Sequence, residues 1–165
     1  MRGVLGKTVA APGEYAPSVL ERIDRRLGRS DITKPSENVG NGHDVWHCYE
    51  LSWMLPDDVV TFTTGALIIP ASSAFTVESK SLKLYLNSLN AHVFNNHEEA
   101  IACIETDLSE LTQSQVKLVR VDPEKIQAMS CELGSDAIRL GGVGATVACR
   151  FVGFRSLCPV TAQPD

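Results

Sequence analysis

From Asp44 to Trp53 apolar and polar positions alternate, so Val45, His47, Tyr49, Leu51 and Trp53 share one face of an extended chain. That predicts a strand. Pro56-Asp57-Asp58 reads as a turn, and Val59 to Ile69, rich in Val, Thr, Phe and Ile, reads as a second strand. The two together predict a hairpin. The period then changes. Leu82, Tyr85, Leu86 and Leu89 recur at the spacing of an amphipathic helix, with Lys80, Lys83 and Asn87 as a polar stripe. A second helix is expected from Asn96, an N-cap residue with Glu99 three positions on, burying Ile101, Ile104, Leu108 and Leu111. Val116 to Val121 returns to strand, with a slip between Leu118 and Val119 that suggests a bulge or irregular burial. Val143 to Phe154 reads as a last strand, entered through Gly141, Gly142 and Gly144. The order β-β-α-α-β-β predicts an α+β fold with an antiparallel sheet rather than a Rossmann unit.

Residues 1–41 are rich in Gly, Pro and charge and read as a leader with one short helix near Ser18–Leu27. The folded body follows over residues 42–153. The 165 residues suit one domain, with 44% hydrophobic and 21% charged positions, both ordinary for a globular chain. The formal charge of -5 offers no electrostatic footprint for nucleic acid. Arg22, Arg25, Arg26 and Arg29 are interrupted by Glu21 and Asp24 and read as a solvated basic helix face. No apolar run approaches the roughly 20 residues of a membrane span, and the first seventeen residues lack a signal-peptide core. Five cysteines, an odd number, without a CxxC pair point to reduced thiols in the cytoplasm and away from a zinc ribbon.

Four stretches are candidates for chemistry. Glu78-Ser79-Lys80-Ser81-Leu82-Lys83 stands where a strand passes into a helix. The free N–H groups there favour phosphate, Lys80 and Lys83 add charge, and the Glu78 carboxylate can accept paired N–H bonds from a flat heterocycle. On composition alone the same stretch also reads as a solvated amphipathic helix with a Ser cap. Cys158 and Asp165 lie seven positions apart in a loop stiffened by Pro159 and Pro164, a nucleophile with a possible proton donor, or a buried structural Cys in a tail. His43, His47, His92 and His97 match no metal-site spacing. Gly141-Gly142-Val143-Gly144-Ala145 fails the dinucleotide fingerprint because Val147 takes the last glycine position, and it reads as a turn.

Glu78-Ser79-Lys80-Ser81-Leu82-Lys83-Leu84-Tyr85 resembles the signature of the 7-cyano-7-deazaguanine reductases, the QueF family. Leu86-Asn87-Ser88-Leu89-Asn90 with Phe94-Asn95-Asn96, and upstream Tyr49-Glu50-Leu51-Ser52-Trp53, resemble its two-module form. Ser156-Leu157-Cys158-Pro159-Val160-Thr161, then Gln163-Pro164-Asp165, is similar to its catalytic stretch. The resemblance implies a tunnelling fold (T-fold), an antiparallel sheet with two helices. It implies NADPH-dependent reduction of the nitrile of 7-cyano-7-deazaguanine to 7-aminomethyl-7-deazaguanine, in queuosine (tRNA-modification) biosynthesis. In that scheme Cys158 forms a covalent thioimide and Asp165 donates a proton. Val77, Glu78 and Ser79 bind substrate, Ser79 and Lys80 contact NADPH, and no metal takes part. Residues 154–165 would then be the start of a catalytic segment, cut off before a second module. The implied partners are a deazapurine substrate and a second T-fold module or a second copy, with no direct contact to nucleic acid or membrane. The alternative expectation is a catalytically incompetent T-fold binding module that needs a separate second module.

Overall fold

The computed structural model describes residue 8, residues 10–30 and residues 37–122. The expected last strand, the glycine turn, Cys158 and Asp165 lie outside the described residues. Within them the fold is α+β and consistent with a tunnelling fold. A three-stranded antiparallel sheet is formed by β2 (His43–Leu55), β3 (Val59–Pro70) and β5 (Lys117–Arg120), in the order β2-β3-β5. Two helices, α2 (Ser79–Ser88) and α3 (His97–Thr112), come between β3 and β5 in sequence. A small second sheet pairs β1 (Arg22–Asp24) with β4 (Phe75–Val77), and a single-turn helix α1 (Arg25–Arg29) follows β1.

The hairpin of β2 and β3 turns through Asp57 and Asp58, both at positive φ, a conformation that Asp tolerates better than most residues. Its register does not run straight. Cys48 stands opposite Gly65 and Leu51 opposite Thr63, so β2 carries one extra residue at Tyr49-Glu50. This bulge corrects the single face expected for β2. Before it, Trp46 and Cys48 point to the core while Val45, His47 and Tyr49 are exposed. After it, Leu51 and Trp53 take over the core side. A period-two reading cannot see an inserted residue that reverses the parity of everything beyond it. In β5 the pairing with β3 is continuous from Lys117 to Arg120, so the irregularity expected between Leu118 and Val119 belongs to β2 instead. Gly65 lies opposite the bulge, where an added Cβ would sit 2.8 Å from Leu118 Cδ1 and 2.9 Å from Leu51 Cδ1. Only glycine lets these two leucines close over β3 without displacement.

The helices are packed and capped much as their spacing predicts. From α2 the core receives Leu82, Tyr85 and Leu89. From α3 it receives Ala100, Ile104 and Leu108, with Ile101 and Leu111 partly buried beside them. Asn96 caps α3 by accepting from the Glu99 N–H at 2.8 Å, while the Glu99 carboxylate accepts from the Asn95 N–H at 2.7 Å. Trp53, Leu67, Ile69 and Phe94 complete the core from the sheet side and the loop that follows α2.

The N-terminal segment departs from expectation. In place of a helix over Ser18–Leu27 it forms a 3-10 turn at Pro17–Val19, then β1 and α1. The arginines are not a solvated helix face. Arg25 is mostly buried and pairs with Asp44 at 2.5 Å, Arg29 donates to the carbonyls of Val39 and Ala71, and Arg22 lies 4.2 Å over the Phe75 ring. Arg26 pairs with Asp24 at the surface, where such a pair contributes little to stability. Tyr15 completes the docking. Its hydroxyl and that of Tyr85 both donate to Asp107 Oδ2 at 2.6 Å, which joins the segment to α2 and α3 through one carboxylate.

Burial, and then the hydrogen bond to the Asp107 carboxylate, push both tyrosine hydroxyls well above their usual range. The folded state therefore holds their protons more tightly than the unfolded chain does. The stabilisation is complete below pH ~10, the ordinary tyrosine value, and is lost as pH rises beyond it. Replacing Tyr85→Phe should cost about 1.5–3 kcal/mol at neutral pH, the worth of a hydrogen bond to a charged group. Urea unfolding at pH 9 and pH 11 should show a larger alkaline loss in the parent chain than in that variant; equal losses would contradict the account.

Candidate active site

The chain leaves β4 at Val77 and enters α2 at Ser79, so Glu78 occupies the junction. Its backbone is extended and its side chain caps the helix. Oε1 accepts from the Lys80 N–H at 2.9 Å and Oε2 from the Ser81 N–H at 2.7 Å. Glu is not among the favoured capping residues, and here it is only 6% exposed. The helix N-terminus, with its orphan N–H groups and partial positive charge, is what makes this burial tolerable. The neighbouring backbone is tied to the same place. The Glu78 N–H donates to the Glu21 carbonyl at 2.8 Å, the Glu21 N–H donates to Ser81 Oγ at 3.0 Å, and Ser81 Oγ donates to the Glu78 carbonyl at 2.8 Å.

Beside this junction lies a cleft of about 1000 Å³ between α2 and the bulged part of the hairpin. On the hairpin side it is lined by Trp46, Cys48 and Leu51, which face α2, and round the edge of β2 by Tyr49 and, on β3, Phe62. On the other side is a polar stripe of α2 and the turn after it, made by Ser79, Lys83, Asn87 and Asn90, with Leu82 and Leu86 between them. The stripe offers hydroxyl, ammonium and amide donors, of the kind that can meet the polar groups of a ligand. Of the expected site residues, the structure brings Val77, Glu78, Ser79 and Lys80 to one junction, because they are consecutive. Val77 and Glu78 are buried there, Ser79 lines the cleft, and Lys83 rather than Lys80 is the lysine on its wall. Sequence reasoning left Tyr49 and Phe62 out of the candidate site. Alternation puts Tyr49 on a common face with Leu51 and Trp53, whereas the bulge separates them and Tyr49 stays exposed with His47.

Two cysteines are described, and both are free thiols. Burial pushes Cys48 up to about 11 and also raises Cys103, so neither offers a thiolate at neutral pH. Among the described residues, no group of three or more His, Cys, Asp or Glu side chains is placed to hold a metal ion. Among them also, no helix is long and apolar enough to cross a membrane.

An antiparallel sheet with two helices, and a buried carboxylate at a strand–helix junction beside a cleft, is an α+β arrangement consistent with a tunnelling-fold domain. Residues 12–120 match the family described as nitrile reductase, 7-cyano-7-deazaguanine reductase, N-terminal part. The chain is 35% identical over 184 aligned residues to the NADPH-dependent 7-cyano-7-deazaguanine reductase of Acinetobacter baylyi, covering 99% of this chain and 67% of that protein. It is 38% identical to the protein of the same name from Xanthomonas campestris pv. campestris, covering 98% of this chain and 65% of that protein. An Acinetobacter baumannii relative of the same name is 34% identical. The chain therefore belongs to the 7-cyano-7-deazaguanine reductase family, NADPH-dependent oxidoreductases that act on a nitrile. It spans about two thirds of the length of these relatives.

Because the Glu78 side chain satisfies two N–H groups of α2, Glu78→Ala should lower stability by about 0.5–2 kcal/mol, the usual worth of an N-cap. Denaturant unfolding reads this directly. A change within a few tenths of a kcal/mol would mean that the cap carries no weight in solution.

Proposed function

We propose that this chain takes part in the NADPH-dependent reduction of the nitrile of 7-cyano-7-deazaguanine to 7-aminomethyl-7-deazaguanine, the step expected of it in queuosine biosynthesis. The observation that carries this reading is the Glu78 carboxylate, buried at the mouth of α2 next to the cleft, in a chain of this family. Each carboxylate oxygen accepts one backbone hydrogen bond and keeps a lone pair for another, so the pyrimidine edge of a deazapurine, with its neighbouring N–H donors, can bind it in parallel. Val77 and Ser79 flank the substrate, and Ser79 and Lys80 contact the cofactor.

The chemistry follows from the nitrile. Its carbon is a poor hydride acceptor, and adding a thiolate converts it to a C=N group that accepts hydride readily. In this reading the Cys158 thiolate forms a C–S bond to the nitrile carbon, and the nitrile nitrogen takes a proton from Asp165, giving a thioimide. NADPH supplies the hydride, one for each of two reductions. The first hydride adds to the thioimide carbon, and the C–S bond breaks to return the thiolate and leave an imine. The second hydride adds to the imine carbon and a further proton to its nitrogen, giving the amine. The balance is one nitrile, two NADPH and two protons to one amine and two NADP+. Cys158 and Asp165 take these roles from the resemblance of residues 154–165 to the family's catalytic stretch. That stretch is the third part of the proposed organisation, after a leader over residues 1–41 and a module over 42–153.

The proposed partner is a second T-fold module or a second copy of the chain, in the cytoplasm. Among the described residues β5 has one strand neighbour, and β2 has β3 and a single bridge from Met54 to Val93. Strand edges of this kind recruit further strands.

Isothermal titration with 7-cyano-7-deazaguanine tests the carboxylate. Glu78→Gln keeps the shape and one acceptor oxygen but removes the charge, and should weaken binding about tenfold or more, as expected for losing a charge-assisted pair. Unchanged affinity in a folded variant would remove Glu78 from the substrate site. Lys80→Ala should weaken NADPH more than the deazapurine; equal weakening would count against a cofactor contact.

A further inference from the structure

Two serines of α2 are held in the same way. Ser81 is 0% exposed and Ser88 2%, and their spacing puts them on one face of the helix. Each hydroxyl donates to the carbonyl one turn before it, Ser81 to Glu78 at 2.8 Å and Ser88 to Tyr85 at 2.6 Å. Each hydroxyl oxygen also accepts a backbone N–H of the N-terminal segment, from Glu21 at 3.0 Å and from Ala16 at 3.2 Å. The segment therefore runs back along α2, with Ala16 at Ser88 and Glu21 at Ser81. The two sites differ in what surrounds them. Ser81 is in the first turn of α2, and its own N–H donates to Glu78 Oε2 at 2.7 Å. A capping box places Ser or Thr at the cap and Glu or Gln three positions on, where it reaches back to the N–H of the cap residue. Here the residue types are exchanged, with Glu78 at the cap and Ser81 three positions on. Ser81 turns its hydroxyl to the Glu78 carbonyl, and the Glu78 N–H is answered by the Glu21 carbonyl at 2.8 Å. The Glu21 backbone thus completes the box from outside the helix.

We infer that Ser81 is a positioning residue for the substrate, and that its hydroxyl, locked by the Glu21 N–H, holds the Glu78 carboxylate in the orientation that receives the deazapurine. The inference rests on the reading that Glu78 binds the substrate. A glutamate side chain is flexible, and the ends of helices are where fraying begins. The two N–H groups that aim the carboxylate, those of Lys80 and Ser81, belong to the first turn of α2. They fix the direction of its oxygens only while that turn keeps its shape. The Ser81 hydroxyl ties the turn to the Glu78 carbonyl on one side and to Glu21 on the other, so the cap and the turn it caps move as one. Without the hydroxyl the carboxylate loses its fixed direction, and the substrate has to order it on binding, at a cost in affinity. The segment that reads as a leader in the sequence is then part of the site, through the backbone of Glu21. Ser88 makes the same pair of bonds where they touch neither Glu78 nor the first turn, so it separates positioning from stability.

Isothermal titration of the full chain with 7-cyano-7-deazaguanine, beside thermal melting by circular dichroism, tests this. Ser81→Ala should weaken binding about two- to tenfold, the scale of ordering one flexible side chain. Ser88→Ala loses an equivalent buried hydroxyl, so it should lower the melting temperature by a similar amount and yet bind like the parent. In a Glu78→Gln background Ser81→Ala should cost less affinity than it does in the parent, because the two residues act through one carboxylate. Ser81→Cys, with a weak donor and acceptor in the same place, should bind between Ser81→Ala and the parent, and it carries the test if Ser81→Ala does not fold. Parent-like binding by folded Ser81→Ala, or by Ser81→Cys in its stead, overturns the positioning role. So does equal weakening in Ser81→Ala and Ser88→Ala, or full additivity with Glu78→Gln. Each of these leaves the proposed function standing so long as Glu78→Gln alone weakens binding. Unchanged affinity in Glu78→Gln, or no binding by the parent, overturns the reading of Glu78, and the inference falls with it.

Discussion

The Glu78 carboxylate at the mouth of α2 is the constraint on which the site depends. A buried carboxylate is costly unless its charge is answered, and here the first N–H groups of a helix answer it. Satisfying that charge fixes where α2 begins, and the start of α2 fixes the direction of the stripe from Ser79 to Asn87. The same residue's N–H holds the Glu21 carbonyl, and Ser81 closes the loop back to Glu21. One residue, through its backbone and its side chain, thus joins the N-terminal segment and α2, and its carboxylate is also the group proposed to hold the substrate. Structure and the proposed recognition draw on the same two oxygens. A change at Glu78 should therefore be read with a stability measurement beside every affinity.

The second constraint is the bulge in β2. Without the extra residue at Tyr49-Glu50, a strand that buries Trp46 and Cys48 would turn Leu51 and Trp53 to the outside. The core needs both ends of the strand, and the bulge supplies both, leaving Tyr49 exposed in phase with Val45 and His47. Gly65 is the partner of this device on β3, leaving room for Leu51 and Leu118 to meet over it.

Much of this was legible in the chain. The long hairpin, both helices, the Asn96 cap and the junction at Glu78 follow from periodicity and capping chemistry, because each depends on residues near one another in sequence. The family signature was legible for the same reason, being a continuous stretch. What escaped depends on distant partners. β1 and β4 are three residues each and exist because they pair with one another, so neither carries a pattern of its own. The arginines of the N-terminal segment look solvated until Asp44, Ala71 and Phe75 are brought to them from far along the chain. The switch of core face along β2 depends on one inserted residue that alternation cannot register.

The central claim is that this chain takes part in covalent nitrile chemistry, and intact-mass spectrometry of the full chain with 7-cyano-7-deazaguanine tests it most directly. The account predicts an adduct of one substrate mass that is absent from Cys158→Ala. No adduct on a chain shown to be folded would contradict it, and would leave a family member that binds without reacting.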